Sequence, residues 1–123
     1  MTAPTLTTQE DVDQEIIQCW RLLVKAEEAG RRLTIDANGE YNEAWVDAAD
    51  DLLAAGNVVS VRARVMPEWL PTTDEGLERS CVDLTRELAR RFQAIPLELE
   101  PPLWPLAVVH VADAVRAVEK AAG

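Results

Sequence analysis

The chain has 123 residues, with 22 acids against 12 bases, enough for one domain and too short for two ordinary ones. With 48% apolar and 28% charged residues, a disordered tail, a collagen-like chain and a disulfide scaffold are excluded. The net charge of −10 argues against direct binding of nucleic acid or an anionic membrane, because phosphate contacts draw on Lys and Arg.

Residues 1–7 read as a flexible arm, and 8–123 as a single compact domain. Thr7 with Glu10, or Thr8 with Asp11, has capping-box spacing. Val12, Ile16, Trp20, Leu23 and Val24 then recur at helical spacing, which predicts a helix over 8–29 closed by Gly30. Residues 32–35 read as a short extended piece, and Asn38-Gly39 as a turn. Asn42 is placed to cap a second helix over 43–55, with Trp45, Ala48, Ala49, Leu52 and Leu53 inward and Gly56 as its stop.

Residues 58–65 carry the clearest strand pattern. Val59, Val61, Ala63 and Val65 share one face, and Ser60, Arg62 and Arg64 the other. Pro67 and Pro71 bracket a loop, and Thr72 with Glu75 has capping-box spacing. A third helix follows over 74–93, carrying Leu77, Cys81, Leu84, Leu88 and Phe92 in register. Residues 95–100 alternate weakly, and their prolines restrict them to an edge strand or a loop. Pro105 opens a fourth helix over 105–121. The expected fold is therefore α+β and helix-dominated: about four helices with a small two- or three-stranded sheet. A strand edge at 58–65 and the valines of the fourth helix favour self-association, most simply as a homodimer.

Part of the second half resembles the acyl carrier proteins, through Leu84 to Phe92, Ile95-Pro96-Leu97-Glu98 and Val111 to Val115. That family needs an Asp-Ser-Leu for its phosphopantetheine. Ser80 here is flanked by Arg79 and Cys81 and stands too near Phe92, so the resemblance does not carry over. No cofactor is expected.

The candidate sites are few. His110, the only histidine, precedes Asp113 by three residues, the spacing of a carboxylate-oriented imidazole. No nucleophile motif accompanies the pair, so no catalytic residue is assigned and a small enzyme is only an alternative. Arg62 and Arg64, at i and i+2, suit an anion. The run from Asp36 to Asp51 is acidic without an intervening base, and Glu43, Asp47 and Asp50 share a helix face that fits a basic protein surface. Asp36-Ala37-Asn38-Gly39-Glu40 resembles the start of an EF-hand loop, but its glycine is fourth and not sixth, so no metal is assigned. Trp69 and Trp104 stand in Pro-rich connections, where a rigid loop makes tryptophan an interface anchor or a lid on the core. Cys19 and Cys81 lie in apolar helical registers and are expected to be buried and free. No leader or spanning segment is evident, and cytoplasmic location is the default. The expected function is a small, acidic, non-enzymatic adaptor in a bacterial or phage assembly, with its protein partner presenting a basic surface. The alternative is an inhibitor or antitoxin-like protein that blocks a basic site.

Overall fold

The computed structural model describes residues 6–36 and 38–123. Helix α1 spans Gln9–Arg32, α2 Glu43–Val58, α3 Asp74–Gln93 and α4 Trp104–Ala122, with single 3-10 turns at Pro67–Trp69 and Leu97–Leu99. Each helix packs mainly on two others: α1 on α2 and α3, and α4 on α2 and α3. Their apolar stripes meet in one buried cluster that includes Ile16, Leu23, Trp45, Leu52, Leu88, Phe92, Val111 and Val118. Residues 1–5 of the expected N-terminal arm lie outside the described residues.

Local chemistry explains where the helices begin. Thr8 caps α1 in a capping box with Asp11, one of the two registers expected. Asn42 Oδ1 accepts from the Ala44 amide at the start of α2. Thr73, not Thr72, caps α3, its hydroxyl accepting from the Gly76 amide at 3.1 Å. Helix α4 has no side-chain cap. Its N-cap, Leu103, adopts a left-handed conformation with φ 66°, and Pro105 fits the first turn.

Two glycines expected to stop helices do not. Gly30 is buried inside α1, facing Ala49 of α2 and Cys81 of α3, where a Cβ would meet Ala49 Cβ and Cys81 Sγ at an ordinary 3.7 Å. Gly56 lies inside α2 against Leu23 and Trp20, and the helix runs on to Val58.

The expected sheet is absent: the described residues contain four α-helices and no strand, so the fold is helical and not α+β. The reasons are local. Residues 35 and 41 form one antiparallel bridge around the Asn38-Gly39 turn, with Gly39 at φ 79°. Helix α1 ends at Arg32 and α2 starts at Glu43, leaving too little chain for a ladder. Residues 59–66 keep the predicted alternation, with odd positions buried or half-buried and even positions exposed. Side chains, however, occupy the carbonyls that a neighbouring strand would use. Trp20 Nε1 donates to Ala63 O at 2.8 Å, and the Arg62 guanidinium donates to the carbonyls of Val59 and Val61. The segment is a strap clasped to α1, with its inward side chains against helices. At 95–100, Pro96 leads into the 3-10 turn in place of an edge strand. The strand edge proposed for self-association therefore does not exist, and Val111 and Val118 of the α4 stripe are buried within the chain.

Candidate functional site

Trp69 is the most exposed large aromatic, 70% accessible, on the 3-10 turn Pro67–Trp69. Pro67 and the Leu70 amide, which donates to Pro67 O at 3.0 Å, hold that turn in shape. The ammonium of Lys25 on α1 stands over the indole, 5.2 Å from its centroid. Arg21, one turn before Lys25, joins them, as do Arg64, Val65 and Met66 of the strap. Together they line a shallow groove of about 230 Å³.

Charge distribution singles this groove out. Seven of the chain's bases are in ion pairs with carboxylates, all of them on α1, α3 and α4. Among the described residues, Arg21, Lys25, Arg62, Arg64 and Lys120 are in none. Four of those five belong to α1 and the strap. Arg62 and Arg64, paired in the sequence as one anion site, divide here. The Arg62 guanidinium stacks on Trp20, 4.4 Å from the ring centroid, and clasps the strap. Arg64 faces the groove.

A second, acidic groove of about 450 Å³ lies between α2 and α4. Asp47, Asp50 and Asp51 of α2 face Asp113, Arg116 and Lys120 of α4. Glu43, Asp47 and Asp50 are exposed, as expected of a solvated helix face. Asp51 belongs to the acidic run read from the sequence; what sequence reasoning missed is the bases opposite, Arg116 and Lys120. Burial, then the charges of Asp113 and Asp47, raises the Asp51 carboxyl above its ordinary value, against the opposing effect of His110. Among the described residues no group of three or more His, Cys, Asp or Glu side chains is placed to hold a metal ion. Asp36, the first residue of the EF-hand-like run, turns Oδ1 on the amides of Asn38 and Glu40 at 2.8 and 2.9 Å.

The pair His110 and Asp113 does not form. Arg116 takes the Asp113 carboxylate, and His110 is half-buried on α4. Trp104 is in the core and is removed from the docking residues. It is 1% exposed, its ring stacked on Phe92 at 4.3 Å and its Nε1 donating to Phe92 O at 3.0 Å. Cys19 and Cys81 are free and buried. Burial pushes both thiols up to about 12, which leaves negligible thiolate at neutral pH.

No helix among the described residues is long and apolar enough to cross a membrane. Compared with protein-family models, curated proteins and solved structures, the chain matches none.

Proposed function

We propose that this protein is a small non-enzymatic adaptor with two docking faces of opposite charge, acting in the cytoplasm of a bacterium or its phage. The observation that carries this reading is the clustering of its unpaired cations. Cations without carboxylate partners gather around exposed Trp69, while the exposed acids Glu43, Asp47 and Asp50 line one side of α2. An adaptor holds two surfaces at fixed geometry, and a rigid helical core does this without moving parts. The α2 face suits the basic partner surface expected from composition, acting mainly through long-range attraction. The Trp69 face supplies a preordered anchor, since the flanking prolines have already removed chain freedom.

The interleaving of Arg116 and Lys120 among the acids of the α2–α4 groove weakens the alternative of an inhibitor or antitoxin-like protein that blocks a basic site with its acidic face. The Asp113–Arg116 pair likewise gives the enzyme alternative no support.

The test is affinity capture from the source cell with three forms: the parent chain, Trp69→Ala, and Glu43→Gln/Asp47→Asn/Asp50→Asn. The adaptor reading expects two stoichiometric partners, one lost with each variant, while both variants keep the parent's melting temperature. A single partner lost equally with both variants, or no partner, contradicts it.

A further inference from the structure

The groove under Trp69 carries more chemical information than a general docking face. Arg21 and Lys25 stand one helical turn apart on α1, and Arg64 approaches from the strap. Like charges at this helical spacing repel. Most bases elsewhere in this chain have a carboxylate partner, as Arg31 and Arg32 have in Glu28. These three do not, although acids outnumber bases 22 to 12. The remaining wall is apolar: Val65, Met66 and the Trp69 ring.

From this juxtaposition we propose that the groove binds an acidic, extended peptide segment of a partner protein. Its carboxylates lie on Arg21, Lys25 and Arg64, and an apolar side chain packs on Trp69 and Met66. The proposal rests on the adaptor reading and names the chemistry of one of its two partners.

Three arguments favour this occupant. The groove, at about 230 Å³, is smaller than the usual pocket for a small molecule, about 300–1,000 Å³, and suits one or two side chains. Arginine forks and an ammonium match carboxylates, and a cation held over an indole is oriented before the ligand arrives. A long polyanion such as nucleic acid would run from this patch onto a surface of net charge −10. A short acidic segment feels only the charges within about 8 Å, the screening length at physiological salt.

The experiment is a fluorescence-anisotropy titration of the full chain with labelled hexapeptides of alternating Asp and Leu, and alternating Lys and Leu. Octathymidylate is a third probe. The Asp–Leu peptide is expected to bind about tenfold or more tighter than the Lys–Leu peptide and to weaken with salt. Arg64→Ala and Lys25→Ala should each weaken it about fivefold, and Trp69→Ala about tenfold or more. Lys120→Ala, in the acidic groove, should leave binding unchanged. Equal binding of the two peptides overturns the proposal, as does binding insensitive to Arg64→Ala and Trp69→Ala. Tighter binding of octathymidylate through the same residues assigns the groove to nucleic acid and overturns it. Concentration-dependent self-association abolished by Trp69→Ala assigns it to a second copy, with the same consequence. If a cellular partner is lost with Trp69→Ala but no acidic peptide binds, the peptide chemistry fails and the adaptor reading stands. If the peptide binds but no cellular partner depends on Trp69, the adaptor reading fails alone.

Discussion

Helix α1 presents two charged sides, and they are built differently. Toward α3, Glu15 is nearly buried and accepts from the Arg91 guanidinium at 2.6 Å, while Arg91 also donates to Glu87 at 2.9 Å. Toward the strap, Arg21 and Lys25 face Arg64 and Trp69 with no carboxylate. The first arrangement ties two helices together; removing one member strands a charge out of water. The second is tied only by the Lys25–Trp69 cation–π contact, and its cations have no carboxylate partner. Glu15–Arg91 joins two helices, whereas Arg21, Lys25 and Arg64 stand unpaired around Trp69, the face proposed above for docking.

The two tryptophans of the Pro-rich connections extend the comparison and should show the largest contrast. Trp104→Ala removes a buried ring stacked on Phe92 and is expected to cost about 3–5 kcal/mol in urea unfolding. Breaking the α1–α3 tie comes next. Arg91→Ala leaves Glu15 buried without its cation and should cost about 2–4 kcal/mol. Adding Glu15→Gln should recover part of that loss, because the stranded charge is gone.

Two buried or crowded glycines sharpen the picture at smaller scale. At Gly76, a Cβ would sit 2.8 Å from Pro71 Cβ and 2.9 Å from Thr73 Oγ1, the cap itself. Gly76→Ala should therefore cost about 1–2 kcal/mol, while Gly30→Ala, with its nearest neighbours at 3.7 Å, should be close to neutral by thermal melting.

The acid limb of the stability curve reports the paired side. Hydrogen bonds from Arg90 and Arg91 hold Glu87 at about 2, below its ordinary value. Its contribution is full above the unfolded value and is lost as pH falls toward about 2. Glu87→Gln should flatten that fall. Asp51 has the opposite sign. Burial raises its carboxyl, so ionisation at neutral pH weakens the fold, and Asp51→Asn should raise the melting temperature slightly, by about 1–3 °C.

The four helices were legible in the sequence because their apolar spacing agreed with their packing. For α3 even the bounds, 74–93, match. The failure at 58–65 is instructive. Alternation there is real in burial, but period two records only which side chains turn inward. Pairing depends on free backbone acceptors, and Arg62 and Trp20, one of them 43 residues away from its acceptor, take those acceptors. Glycine misled for a related reason: Gly30 is buried within α1 against α2 and α3, neighbours that exist only in three dimensions. The exposed acids and Trp69 were visible as candidates. The company Trp69 keeps was not, because Arg21, Lys25 and Arg64 come from α1 and a strap far apart in sequence.

On the docking role proposed above, Trp69 and its neighbouring cations contribute little to holding the fold. Equilibrium urea unfolding of the triple variant Lys25→Ala/Arg64→Ala/Trp69→Ala tests it most directly. The expected loss is about 1 kcal/mol or less, the scale of one exposed cation–π contact, with an unchanged denaturant slope. A loss of about 3 kcal/mol or more would make the groove a structural lid and contradict the account.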